Sequence, residues 1–148
     1  MISVFLTGGS GFVGQNFISA FEEKFKIRLY KKGDDISINE EIVVHLAGKA
    51  HDLNKTSNDA EYYEVNTDLT KTLFDQFLKS DCEVFIYISS VKAAADVLVE
   101  TLTEDVIPNP ITVYGKSKLA AENHILSQKI PKNKRVYILR PCMIHGPG

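Results

Sequence analysis

Thr7-Gly8-Gly9-Ser10-Gly11-Phe12-Val13-Gly14 lies close to the start of the chain, and its surroundings decide the fold. Ile2-Ser3-Val4-Phe5-Leu6 runs into it, apolar and rich in strand-forming residues. Phe12, Val13, Phe17, Ile18, Phe21 and Phe25 follow at helical spacing. The glycines therefore fall in a tight strand-to-helix turn, the place where a pyrophosphate binds. Gly8 permits the sharp turn, Gly11 lets the backbone approach phosphates, and Gly14 lets helix and strand pack closely. Free N–H groups and the dipole of the new helix stabilise negative charge there. A glycine triplet alone is consistent with an ordinary turn; the strand-turn-helix context favours dinucleotide binding.

Outward from this turn, strands and helices alternate. Residues 26–30 read as a second strand. Residues 41–47 read as a third, nearly continuously apolar and so buried on both faces. Tyr62, Val65, Leu69, Leu73 and Phe77 recur at helical spacing, and Val84-Phe85-Ile86-Tyr87-Ile88 is another buried strand. A polar loop with Pro108 and Pro110 precedes a helix over 113–127. Residues 135–139 form the last strand, and Pro141, Pro147 and Gly148 close the chain in loop. Strands separated by helices imply an α/β fold: a doubly wound parallel sheet of Rossmann type, with right-handed crossovers and helices on both faces. Only ten residues, Lys31 to Glu40, separate the second and third strands. A crossover with its helix takes at least about ten to twelve residues before any extra strand is counted. One outer strand beside the adenine end is therefore expected to be missing.

Composition narrows the function classes. Of the 148 residues, 44% are hydrophobic and 24% charged, as in a soluble globular domain with a real core. A net charge of −2 offers no field to attract nucleic acid or an anionic membrane. No apolar run approaches the roughly 20 residues that span a bilayer. The chain opens directly on a strand, with no room for a signal peptide. Cys82 and Cys142 form neither a metal set nor a disulfide framework, which points to a reduced, cytoplasmic protein. His51, His124 and His145 have no spacing that suggests a metal, and His45, at a buried strand end, reads as a packing residue.

A second constellation carries chemistry. Tyr114 and Lys118 are four apart at the start of the last helix and share a face. A phenol with a pKa of about 10 is a poor base at neutral pH. An ammonium held about 6 Å away would favour the phenolate by about 3 kcal/mol at an effective dielectric of about 20. That would tune Tyr114 toward proton exchange with a hydroxyl. Such a pair is common on any helix, but Ser89-Ser90 adds weight. These serines end a buried strand, and ligands of open parallel sheets bind beyond strand carboxyl ends. A hydroxyl there can bond the oxygen that Tyr114 would protonate. The plain alternative, that both serines cap a turn, suits Ser89 better than Ser90.

Thr7-Gly8-x-x-Gly11-x-x-Gly14, His45-Leu46-Ala47-Gly48, Tyr63-x-x-Asn66, Ser89-Ser90, Tyr114-x-x-x-Lys118 and Arg140-Pro141 occur in the order seen in extended short-chain dehydrogenase/reductases. Within these the chain resembles the nucleotide-sugar epimerase/dehydratase group, including UDP-glucose 4-epimerase-like enzymes. The resemblance implies that Gly8, Gly11 and Gly14 bracket the pyrophosphate of NAD or NADP, with backbone donors from Phe12 and Val13. It implies that Leu46, Ala47 and Gly48 line the cofactor trough, and that Pro141, Cys142 and Met143 approach the nicotinamide. Tyr114 would be the acid/base. Lys118 would lower its pKa and bind the nicotinamide ribose, and Ser90 would hold the sugar oxygen being oxidised. Asn66 would secure backbone near the site; Lys92 lies close to Ser90 in sequence, but a solvated lysine is its default.

The implied function is a nucleotide-sugar epimerase acting at C4 through a transient keto sugar, on a substrate that is UDP-linked, in a homodimer. A nucleotide-sugar 4-reductase using NADPH is the close rival. A 4,6-dehydratase fits less well, because Val91-Lys92 follows Ser90 where that relative has an Asp-Glu pair. A non-catalytic dinucleotide sensor is the reading from another class; the intact Ser90, Tyr114 and Lys118 argue against it. Two departures stand out. NAD-preferring members carry an acidic residue at the end of the second strand, and here Tyr30-Lys31-Lys32 occupies that place. Lys31 would then meet a 2′-phosphate or sit in a solvated turn, the latter slightly favoured and with it NAD, and Asp34 or Asp35 would supply the missing carboxylate. Members of the group are also longer. Residues 1–148 are thus expected to be the cofactor-binding domain, without the carboxyl-terminal portion that binds the sugar nucleotide, and inactive in isolation.

Overall fold

The computed structural model describes residues 1–50, 58–97 and 101–146; His51, Pro147 and Gly148 lie outside them. The elements alternate as expected: β1 (Ser3–Thr7), α1 (Phe12–Phe21), β2 (Lys26–Leu29), β3 (Ile42–His45), α2 (Asp59–Tyr63), a π turn (Glu64–Asp68), α3 (Leu69–Lys79), β4 (Val84–Ile88), a 3-10 turn (Val91–Ala93), α4 (Val113–Ser127) and β5 (Arg135–Leu139). The five strands form one parallel sheet in the order β2-β1-β3-β4-β5. Register sets Thr7 beside His45, and His45 beside Tyr87. All three side chains leave the sheet on the same face, at its carboxyl edge.

Helices cover both faces. On one, Leu73, Phe74 and Phe77 of α3 and Ala121 and Ile125 of α4 pack on Phe5, Val43, Phe85 and Tyr87. Phe74 meets Phe85 edge-on, with ring centroids 5.0 Å apart. Four of these phenylalanines are wholly buried, each contributing about 1.5–3 kcal/mol. On the other face, Phe17 and Ile18 of α1 cover Val4, Leu6 and Val44. That side is thinner, and Tyr137 and Leu139 of β5 stay about half exposed there.

The short connection between β2 and β3 holds no helix or strand. Ile36 and Ile38 instead fold onto the α3–α4 core. Arg28 clamps the connection from below, bonding both carboxylate oxygens of Glu40 at 2.6 and 2.9 Å. β2 is thus the sheet edge among the described residues, and the expected outer strand is missing.

Beyond one-residue shifts at the ends of β1 and β2, three features differ from the sequence reading. α1 stops at Phe21, and Phe25 packs from the following turn. β3 ends at His45, freeing Leu46 and Ala47 to enter the loop at the carboxyl edge. The helix through Tyr62 and Phe77 is interrupted by the π turn. Its wider turn carries an extra residue. Asn66 and Thr67 are buried there, while Glu64 and Asp68 are exposed. Apolar spacing alone cannot register this, because Tyr62, Val65 and Leu69 keep helical spacing across the insertion.

The glycine turn is sterically committed. Gly8 has a φ of +74°, and a Cβ on it would stand 2.5 Å from the Ala47 amide nitrogen. A Cβ on Gly14 would run into the Gly8 carbonyl oxygen. Gly11 differs, since a Cβ there meets only that same oxygen, at an ordinary 3.4 Å. Gly14→Ala is therefore expected to destabilise the fold by about 1–3 kcal/mol. Gly11→Ala should leave stability nearly unchanged. Urea unfolding checks both: the midpoint should fall for the first variant only, with m unchanged.

Candidate active site

Two cavities lie side by side at the carboxyl edge of the sheet. One, of about 660 Å³, is lined by Gly8, Tyr30, Lys31, Ala47, Glu64 and Asp68 among others. The second, of about 570 Å³, is lined by Leu46, Gly48, Ser90, Tyr114, Lys118 and Pro141, and also by Val13, Lys92, Cys142 and Met143. Consecutive residues of the loop after β3 serve both, so the cavities are two ends of one trough running past the start of α1. Gly11 and Phe12 sit exposed at that helix start, and Gly14 lies buried beneath the turn.

The trough is shaped by polar pins, the first two of them buried. His45 bridges two threonines, with Nδ1 2.6 Å from Thr7 Oγ1 and Nε2 2.8 Å from Thr70 Oγ1. The Thr70 hydroxyl donates to the Asn66 carbonyl, so it accepts from His45 Nε2–H. Nδ1 then accepts from Thr7, whose oxygen also receives the Ala47 N–H at 3.1 Å. Every partner is satisfied only if the imidazole is neutral. Burial, with the Lys118 charge adding, pulls its pKa down to about 3. His45 is thus a packing residue that fixes the β3 loop.

Asn66 makes the next pin. Its side chain bonds the Lys49 N–H (2.7 Å), the Lys49 carbonyl (3.0 Å) and Ser117 Oγ on α4 (2.9 Å). Asp96 makes a third, which the sequence did not disclose. Its carboxylate accepts the N–H groups of Ile111 and Thr112 and the Thr112 hydroxyl. Thr112 in turn caps α4 by accepting the Gly115 N–H. Burial pushes the Asp96 pKa up, but the Thr112 and Ile111 hydrogen bonds outweigh it and hold it below the ordinary value. The loop after Ser90 is thereby tied to the helix start that carries Tyr114. No periodicity marks a contact between residues 96 and 112.

Ser90, Tyr114 and Lys118 come together in the second cavity. Ser90 is nearly buried, and its Oγ accepts the Lys92 N–H at 3.2 Å. Burial raises the Tyr114 phenol above its ordinary pKa, and a hydrogen bond with Ser90 partly reverses this. That differs from the sequence expectation that Lys118 would lower it. The reason lies in where the ammonium goes: Lys118 Nζ donates to the Ile88 carbonyl at 3.0 Å and lies 4.9 Å over the Tyr87 ring. Lys118 is 3% exposed, and burial brings its pKa down to about 8, against an opposing pull from Glu122.

At the other end, Lys31 lines the cavity as placed by the sequence reading. Asp34 does not serve as a cavity carboxylate, because its oxygen accepts the Lys31 N–H at 2.9 Å inside the turn. Lys32 reaches Glu64, on the opposite wall, at 3.3 Å, both side chains well exposed. His124 pairs with Asp75 away from the trough.

A family model described as the NAD dependent epimerase/dehydratase family matches residues 35–148. The chain belongs to this family. It is 33% identical to a UDP-glucose 4-epimerase of Vibrio cholerae, over 99% of this chain and 53% of the relative. It is 32% identical to a GDP-6-deoxy-D-mannose reductase of Pseudomonas aeruginosa, over 98% of this chain and 53% of the relative. A UDP-glucuronic acid 4-epimerase from Bacillus cereus, solved in complex with NAD, shares the fold with a TM-score of 0.80 at 20% identity, covering 99% of this chain and 58% of that one. The chain spans about half the length of the curated relatives it matches. Among the described residues, no helix is long and apolar enough to cross a membrane.

Two expectations follow for this epimerase/dehydratase-family chain. Asp96→Ala removes three hydrogen bonds to the start of α4 and should cost about 1–2 kcal/mol, visible as a lower thermal midpoint. The Lys118 pKa yields a signed pH effect. Lysine in the unfolded chain keeps its proton to about pH 10.4, whereas Lys118 in the folded protein loses it near 8. Between those values the unfolded state binds more protons, so stability should rise with pH relative to Lys118→Met. Urea unfolding of both proteins at pH 7.5 and at pH 10 measures the difference.

Proposed function

We propose that the chain is the NAD(P)-binding part of a nucleotide-sugar epimerase that works at C4 through a transient keto sugar. One observation carries this: Ser90, Tyr114 and Lys118 line a single cavity that opens beside the glycine turn. Similarity to a UDP-glucose 4-epimerase supports the substrate class, UDP-linked, and the reaction type.

The trough suits a dinucleotide. Gly11 lacks a side chain although nothing in the protein crowds that position, which is what close approach of a ligand phosphate would require. The backbone of Phe12 and Val13 opens α1 toward the same place. Gly8, Gly11 and Gly14 would hold the pyrophosphate, and Lys31 and Ala47 the adenosine end. Leu46, Gly48 and Pro141 would flank the nicotinamide end. Bound there, NAD or NADP supplies a hydride acceptor and, when oxidised, a positive charge.

The chain's own residues then handle the proton. Tyr114 takes the proton of a sugar hydroxyl, and Ser90 holds the same oxygen by hydrogen bonding. Lys118 would bind the nicotinamide ribose, and with the cofactor bound its charge would add to that of an oxidised nicotinamide in favouring the phenolate. In the structure burial raises the Tyr114 phenol, so the positive charge of a bound oxidised cofactor would be needed to favour the phenolate that takes this proton, and the phenol so formed would return it when the keto sugar is reduced. The sugar nucleotide itself would be held by a further, carboxyl-terminal portion, in a cytoplasmic homodimer.

A reductase is the second reading, favoured by the similarity to the GDP-6-deoxy-D-mannose reductase and by Lys31 at the adenosine end. Mass spectrometry of nucleotide released on denaturing the protein separates the two. Tightly held NAD supports the epimerase, and NADP or an empty site that NADPH fills supports the reductase. Gly11→Ala should weaken dinucleotide binding at least about tenfold by calorimetry while the fold is retained. Unchanged binding would remove the glycine turn from the cofactor site. In a longer protein that contains this chain, Tyr114→Phe should abolish turnover, and full activity would overturn the catalytic assignment.

A further inference from the structure

Tyr114, Lys118 and Glu122 fall at steps of four along α4 and so lie along one stripe of the helix. The stripe ends on a buried acid: Glu122 is 1% exposed. Arg140, just past the end of β5, holds it with a forked contact, Nε to Oε1 at 3.0 Å and Nη2 to Oε2 at 2.6 Å. Arg140 immediately precedes Pro141, Cys142 and Met143, which line the cavity of Ser90 and Tyr114. One ion pair thus fastens the catalytic helix to the loop forming the far wall of the site.

The charges around Lys118 make this pair more than a fastening. From β3, His45 faces it as a neutral imidazole. From β4, Tyr87 offers its ring, and burial keeps that phenol protonated. Tyr114, on the same helix, is also protonated. The Ile88 carbonyl contributes a dipole without a charge. Nearby Lys49 bonds Glu61 at 2.6 Å, and Lys92 acts on Asp96. Glu122 is the anion whose field reaches Lys118 and opposes its loss of a proton. Arg140 locks the Glu122 carboxylate in place, one turn of helix from the lysine.

We propose that Glu122, locked by Arg140, is a positioning residue: its buried carboxylate is the counter-charge that keeps Lys118 ionised and seated between the Ile88 carbonyl and the Tyr87 ring. The proposal rests on the reading of Lys118 as part of the active site, and deepens it. Without Glu122, a wholly buried ammonium faces only neutral groups, and deprotonation becomes its easiest response.

The test is a proton titration that requires neither cofactor nor turnover. In the 148-residue chain, carbon-13 at the lysine ε position is followed by NMR against pH, with Lys118 assigned through Lys118→Met. The native midpoint should lie near 8. Glu122→Gln should lower it by about one pH unit or more, a tenfold or greater loss of proton affinity. Glu122→Asp, which keeps the charge, should restore most of the shift. A folded Glu122→Gln protein with an unmoved midpoint would overturn the proposal, leaving the pair as a helix-to-strand tie. A midpoint rising toward that of free lysine would overturn it too, because it reports a loosened, hydrated site. If Glu122→Gln fails to fold, the Glu122→Gln/Arg140→Gln double variant removes the carboxylate without stranding Arg140, and a downward shift, smaller because a cation leaves with the anion, is required of it. Failure of the epimerase reading would show separately, in released nucleotide and in Tyr114→Phe, with the titration unaffected.

Discussion

The Lys118 ammonium is a charge placed where water scarcely reaches, 3% exposed at the carboxyl edge of the sheet. An isolated ion there would be strongly disfavoured, so its surroundings must compensate. β4 supplies the Ile88 carbonyl and the Tyr87 face, and α4 supplies Glu122. The loop after β3 comes so close that a Cβ on Gly48 would stand 2.9 Å from Nζ. Three elements from distant parts of the chain are thus fitted around one cation. A pKa near 8 leaves that cation balanced close to neutral pH, where a small change in surrounding charge alters its protonation.

The same edge is held rigid by side chains that do no chemistry in the proposed reaction. His45 joins β1, β3 and the helix that follows the π turn. Asn66 joins the β3 loop to α4, and Asp96 joins the loop after β4 to the first turn of α4. Asn66 and Asp96 bond backbone directly, and His45 does so through Thr7, whose hydroxyl receives the Ala47 N–H, so each pin sets loop position rather than only side-chain contact. The sheet below provides the hydrophobic stabilisation. The pins decide where Ser90, Tyr114 and Lys118 stand relative to the glycine turn.

Much of this was legible from residue order. Gly8, Gly11 and Gly14 between a strand and a helix indicate a tight strand-to-helix turn, because steric demands on such a turn are local. Alternation of apolar strands with amphipathic helices gives a parallel sheet, and the ten-residue link between β2 and β3 gives its missing outer strand. Tyr114 and Lys118 were placed on one face by helical periodicity alone. These features depend on neighbours in the chain, so a sequence carries them directly.

What only the tertiary structure decided depends on contacts between residues far apart. The π turn at Glu64–Asp68 is set by the fit of Asn66 and Thr67 against Ser117. The direction of the Tyr114 shift reverses the sequence expectation, because desolvation is a property of the folded cleft and the ammonium turns toward Ile88. Asp96 carries no signal in its own stretch, since its partners are about fifteen residues away in a loop without periodicity. Glu122 stood in plain view four residues after Lys118, but its burial and its Arg140 partner come from the packing of α4 on β5. Local stereochemistry wrote the fold, and the placing of Tyr114 and Lys118 on one helix face, into the sequence. Dielectric environment and long-range pairing, which exist only once the chain is packed, decided how those groups are charged.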